Sequence, residues 1–90
     1  MILNEMADSL EPVAPSERKP TVGRIVLYRV GDNSPEPLKH NCASVLPAII
    51  TCVFQDCVNL RVFTDGPTVE WCTSVKQGDG PDQWQWPPIE

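Results

Sequence analysis

Residues 46–75 read LPAIITCVF (46–54), QD (55–56), CVNLRVF (57–63), TDGP (64–67) and TVEWCTSV (68–75). The three longer runs are rich in β-branched and aromatic residues, and short turn sequences divide them. That pattern predicts three consecutive antiparallel strands. In CVNLRVF, period two places Val58, Leu60 and Val62 on one face and Asn59, Arg61 and Phe63 on the other. Thr64-Asp65-Gly66-Pro67 is the strongest turn signal in the chain, with Gly66 placed to take a positive φ. In the run that follows, Val69, Trp71 and Val75 are expected to share a face. Pro47 belongs at the start of its strand or on an edge.

Upstream, TVGRIVLYRV (21–30) follows Pro20 and predicts a further strand. Between it and Leu46 lies a loop, Gly31 to Asn41, whose length and content of Gly, Asp, Asn and Pro suit a binding, lid or connecting role. Downstream, Gln77-Gly78-Asp79-Gly80-Pro81 turns into Trp84-Gln85-Trp86-Pro87-Pro88, where Trp84 and Trp86 face one side if the segment is extended. The fold class expected is mainly β: a small antiparallel meander or SH3-like barrel, residues 21–90. Residues 1–20 carry Pro12, Pro15 and Pro20 with several charges, and read as a flexible N-terminal arm. Ile2, Leu3, Met6 and Leu10 fall near one helical face of that arm, but so short a helix is marginal without a surface to rest on. The arm is expected to be dispensable for folding.

Composition narrows the function classes. Ninety residues make one domain with a modest core, small enough that assembly would help it. The formal charge is −5, so long nucleic acid, whose affinity rests on neutralising many phosphates, is a poor partner. A small anion needs only two or three well-placed arginines and is not excluded. The start lacks the basic and apolar regions of a secretory signal, and no apolar run approaches the ~18 residues of a membrane span. Cys42, Cys52, Cys57 and Cys72 are therefore expected as cytosolic thiols.

The chemistry-bearing residues assemble no familiar catalytic set. His40 with the four cysteines lacks a CxxC knuckle and is scattered over three predicted segments, against a zinc site. His40 and Cys42 lie two apart in a Pro-rich loop with no orienting acid. Asp79 and Asp82 are turn residues. Gly78-Asp79-Gly80-Pro81 could offer amides to a phosphate, yet no helix or P-loop lysine follows. No catalytic residue, cofactor or metal is expected. The aromatic and basic side chains say more. Arg24, Arg29 and Arg61 lie in predicted strands, with Tyr28, Trp71, Trp84 and Trp86 as available rings. Guanidinium to phosphate and ring to base would suit a nucleotide; core, interface and solvent-face roles are the alternative for each.

Three blocks stand in a recognisable order: Thr21-Val22-Gly23-Arg24-Ile25-Val26; Pro47-Ala48-Ile49-Ile50 with Val58 to Gly66; and Trp71, Ser74-Val75, Gly78-Asp79-Gly80-Pro81, Trp84 and Trp86-Pro87. Over about residues 20–88 they resemble a widespread family of small, mostly uncharacterised bacteriophage proteins ending in a G-x-G-P-x-x-W-x-W-P signature. The resemblance implies a binding protein at work in the cytoplasm of an infected host cell. One such class sequesters cyclic nucleotides or ADP-ribose derivatives of host immunity without cleaving them. Its likeness to this chain is one of scale and lifestyle rather than of motif. That reading gives a small nucleotide ligand, a homo-oligomer, and Arg24, Tyr28, Arg29, Arg61, Trp71, Trp84 and Trp86 as ligand-binding residues. The alternative is a protein-binding inhibitor of a host enzyme, which would show an exposed apolar-aromatic patch and no deep pocket.

Overall fold

The computed structural model describes residues 18–88. Five strands form a single antiparallel sheet: β1 (Ile25–Arg29), β2 (Val45–Val53), β3 (Val58–Phe63), β4 (Val69–Val75) and β5 (Trp84–Gln85). Their order across the sheet is β4-β3-β2-β1-β5. The first four are a meander, and β5 returns to pair with β1 through Leu27↔Gln85 and Tyr28↔Trp84. The far side of β5 is also occupied. Gly78 N–H donates to the Trp84 carbonyl at 2.9 Å, and Trp84 N–H donates to the Lys76 carbonyl at 3.0 Å. This short parallel bridge ties the chain just past β4 to β5 and curls the meander toward an SH3-like barrel, as expected. The expectation of a flexible arm falls, for residues 1–17, outside the described residues. Arg18 and Pro20 do pack on the domain: Arg18 lies over Trp86, and Pro20 lines a hollow with Trp84.

The core follows period two on β1, β2 and β3. Val26 and Tyr28, then Leu46, Ala48 and Ile50, then Val58, Leu60 and Val62 all point inward and are buried. Trp84 and Trp86 fill the remaining space edge to face, ring centroids 5.3 Å apart, an arrangement the ring quadrupole favours. The first strand begins later than its composition predicts, because Thr21 to Gly23 make a turn in which Gly23 has φ +93°.

Strand β4 departs from simple alternation. Val58 faces Val75 but Leu60 faces Cys72, so an extra residue is inserted opposite Asn59. Ser74 takes φ +57° there. Asn59 Oδ1 accepts from Ser74 N–H at 3.0 Å and from the Thr73 hydroxyl at 2.9 Å. A bulge of this kind changes the facing of everything beyond it. Val69 and Trp71 are therefore exposed while Val75 is in the core, which overturns the expectation that the three share a face.

Two further expectations are corrected. Pro47 is the third residue of β2, a central strand. Ile50 N–H bonds toward β1, at the Arg24 carbonyl, so alternation turns position 47 toward β3. The β3 ladder begins only at Ala48↔Val62, and the missing amide leaves no gap in it. Gly66 does not take a positive φ; a Cβ there would stand 2.5 Å from His40 Nδ1. Its lack of a side chain lets the loop pack against the β3–β4 turn. That loop is not structureless: Glu36–Cys42 forms short 3-10 turns, broken at His40 and Asn41. They drop Leu38 into the core, fully buried, and Asn41 anchors them by donating to Asp65 Oδ2 at 3.0 Å.

Candidate functional site

Beginning from the residues, the chain between Pro20 and β1 turns at Gly23, and the C-terminal tail runs past β5 as Trp86-Pro87-Pro88. The two segments meet. Arg18, Gly23, Arg24, Ile25, Trp86, Pro87 and Pro88 surround an open hollow of about 470 Å³. The Arg18 guanidinium lies 4.4 Å from the centroid of the Trp86 ring, a cation–π contact. Arg24 is exposed at the rim, its Nε donating to Thr21 Oγ1 at 3.3 Å. Arg18 Nε and Trp86 Nε1 are buried without a hydrogen-bond partner among the described residues. Buried donors are normally satisfied, so two unpaired ones beside a third cationic side chain make this corner a place short of acceptors. Its chemistry suits an anion with an aromatic or apolar body.

The sequence-predicted residues do not converge on one place. Arg24 and Trp86 meet at the hollow. Arg18 joins them, though sequence reasoning left it in the arm. The available signal was a basic residue just ahead of a strand whose neighbour is the Trp-rich tail. Arg29 stands at the other end of β1, five residues or about 17 Å of extended chain from Arg24. Tyr28 and Trp84 are 3% and 1% exposed, so as core residues they present no ring face to a base. Arg61 and Trp71 are paired directly across β3 and β4 on the outer face of the sheet, away from the hollow.

The Tyr28 hydroxyl has a structural occupation. It donates to Asp82 Oδ1 at 2.7 Å, and Ser34 Oγ donates to the same oxygen. Ser34 Oγ in turn accepts from Gly31 N–H at 2.8 Å. Burial, and then the bond to Asp82, push the phenol well above its ordinary range. Burial also raises the Cys72 thiol, with the charges of Glu70 and Asp82 adding to it.

The amides of the Gly78–Pro81 turn are similarly committed. Gly78 N–H serves the Trp84 bridge, and Gly80 N–H donates to Gln83 Oε1 at 2.9 Å. A Cβ on Gly78 would fall 2.2 Å from Gln83 Oε1. The G-x-G-P-x-x-W-x-W-P stretch is thus a fold-building device. Its glycines admit Gln83, its Asp82 receives Tyr28 and Ser34, and its tryptophans fill the core.

A second surface stands out. Ile25 faces Ile49, Ile49 faces Arg61, and Arg61 faces Trp71, making one row across four strands on the outer side. Ile25 is 59% and Trp71 56% exposed. Phe63 and Val69, paired on β3 and β4, are exposed beside that row. Another open hollow, of about 460 Å³, is lined by Pro47, Phe63 and the loop residue Ala43 among others.

The four cysteines are unpaired, Cys42 exposed and the others half-buried. Among the described residues, no group of three or more His, Cys, Asp or Glu side chains gathers in metal-binding fashion. No helix among them is long and apolar enough to cross a membrane. Comparison with family models, curated proteins and solved structures finds no match.

Proposed function

We propose that this chain is a non-catalytic binding protein of the phage family it resembles, and that it sequesters a small nucleotide-class anion of host immunity in the infected cell's cytoplasm. The observation that carries the reading is the meeting of Arg18, Arg24 and Trp86 around one hollow of about 470 Å³, within the ~300–1,000 Å³ range of small-molecule sites. Two guanidiniums supply charge for a phosphate or pyrophosphate, and Trp86, a core residue 6% exposed, holds the Arg18 guanidinium over its ring. The donors on Arg18 and Trp86 that find no partner among the described residues favour a ligand rich in acceptors. The ligand-binding set is accordingly narrowed to Arg18 and Arg24, with Trp86 as the residue that positions Arg18. Assembly into a homo-oligomer would proceed through the outer edge of β4, which pairs with no strand among the described residues.

Calorimetric titration tests this directly with a cyclic dinucleotide, a cyclic mononucleotide and ADP-ribose as probes. Removal of a charge-assisted phosphate contact is worth about 1.5–3 kcal/mol, so Arg18→Ala and Arg24→Ala should each weaken binding by about tenfold or more. Arg29→Ala should leave it unchanged. A protein that binds none of the three, or binds one equally well without Arg18 and Arg24, refutes the proposal. The exposed row Ile25–Ile49–Arg61–Trp71 favours a second reading, inhibition of a host enzyme by surface docking. In that case Trp71→Ala, and not Arg24→Ala, would abolish activity in infected cells.

A further inference from the structure

We infer that the outer face of the sheet is a docking surface for an acidic amphipathic helix of another protein. The inference rests on the docking reading above and adds the chemistry of the partner. Two rows of side chains cross four strands on this face. Ile25 faces Ile49, Ile49 faces Arg61, and Arg61 faces Trp71. In the next row Leu27 faces Pro47, Pro47 shares a hollow with Phe63, and Phe63 faces Val69. Seven of these eight side chains are apolar, and the eighth is Arg61. The core is built from the alternate positions of β1, β2 and β3, so the outward residues are surplus to it. Ile25, Phe63, Val69 and Trp71 are exposed, and a contiguous exposed apolar patch marks an interaction site. The hollow of about 460 Å³ beside Pro47 and Phe63 gives the patch a socket for one anchoring side chain.

Charge selects the partner. The chain carries a net charge of −5, yet the charged side chains of this face are arginines. Arg61 stands inside one row, and Arg29, opposite Val45, continues β1 beyond Leu27 on the same side. Arg29 Nε is buried without a hydrogen-bond partner among the described residues. Glu70, opposite Val62, belongs to the other side of the sheet. Asp65 reaches the rim of the hollow, where its carboxylate accepts from Asn41. Carboxylates flanking an apolar stripe answer both the arginines and the rows. Size selects a helix. Four strands at ~4.8 Å spacing make the rows ~14 Å long, and two residues of rise set them ~7 Å apart. With side-chain width added the strip covers on the order of 300 Å², well short of the ~800 Å² per partner of a stable dimer. One helix, ~10 Å across, fits it with about ten residues.

The test uses the full chain and two dye-labelled peptides of about 15 residues, roughly four helical turns. Both carry leucines at i, i+3, i+4 and i+7; glutamates fill the flanks of one and lysines those of its twin. Fluorescence anisotropy should show the glutamate peptide binding at least about tenfold more tightly than the twin at low salt, with the gap narrowing as salt rises. Arg61→Gln should abolish the preference and Arg61→Glu should reverse it, with the far-ultraviolet spectrum unchanged. Trp71→Ala should weaken the glutamate peptide severalfold. Failure to bind either peptide overturns the inference. Binding that needs Trp71 but ignores charge overturns it too, while leaving the docking reading intact. Tighter binding of oligothymidylate would assign the face to single-stranded nucleic acid. A dimer that Phe63→Asp dissolves would make a second copy the cover. A Trp71 already shielded from acrylamide in the dilute chain would mean that the same molecule covers it. Each of these three outcomes also overturns the inference. No readout involves a nucleotide signal, so failure here and failure of nucleotide capture are separable.

Discussion

Tyr28 shows how one side chain can fix the position of a whole tail. Its ring fills the core from β1, and its hydroxyl crosses to Asp82, 54 residues on. There Asp82 adopts φ +59°, a conformation Asp tolerates better than most residues. Tyr28→Phe should cost about 1.5–3 kcal/mol, the worth of a hydrogen bond to a charged acceptor. It should also alter the alkaline limb of stability. A phenol held neutral in the fold contributes fully below its unfolded pKa, about 10. As pH climbs past that value the unfolded chain ionises first, so stability falls toward the raised folded pKa. Tyr28 is the chain's single tyrosine, so phenolate absorbance reports it unambiguously. The signal should appear together with unfolding, and the denaturation midpoint should lose part of its alkaline dependence in Tyr28→Phe. Ionisation near pH 10 in the intact fold would contradict this account.

Among the elements, β4 is the one where a single contact decides facing. Asn59 holds the bulge at Thr73–Ser74 through its side-chain oxygen. Asn59→Leu should cost about 1–3 kcal/mol in urea denaturation, as the Ser74 amide loses its acceptor. Asn59→Asp, which keeps an acceptor, should recover most of it; equal losses for both would show that the bulge holds without this residue. The bulge was not legible in TVEWCTSV, because its cause lies on the neighbouring strand. By contrast β2 and β3 were legible nearly to the residue, since each shows alternation and ends at a turn. Strand β5 was hidden by its two-residue length between Gly-Pro and Pro-Pro. The need for glycine at 66 was equally invisible, since it comes from His40, 26 positions earlier. The site was half legible for the same reason. Arg24 and Trp86 could be named as types suited to a nucleotide. Only the return of the tail to the start of β1 shows that they meet, that Arg18 joins them, and that Tyr28 and Trp84 do not.

On the scale of the whole molecule, the core is held by few residues, and three of them, Leu38, Trp84 and Trp86, arrive from outside the four-strand meander. Leu38 comes from the loop and Trp84 from β5, and both are fully buried. A domain of about 70 residues is stable by roughly 4–11 kcal/mol. Leu38→Ala should remove about 2–5 kcal/mol and Trp84→Ala about 3–5 kcal/mol. Thermal unfolding should show each as a large fall in midpoint, and the pair together should leave no cooperative transition. A midpoint shift of only a few degrees for Trp84→Ala would mean that the meander is self-sufficient and β5 an accessory.

The hollow shared by Arg18, Pro87 and Pro88 brings the two ends of the described domain side by side. Neighbouring ends make a domain portable. Such a unit can interrupt a loop of another protein without forcing its host apart, since the host's chain leaves and re-enters at nearly one point. It can equally be closed head to tail and reopened elsewhere, for which the exposed Gln55–Asp56 turn between β2 and β3 is the natural place. For a chain this small, the folded unit can therefore be separated from the order in which its strands are written.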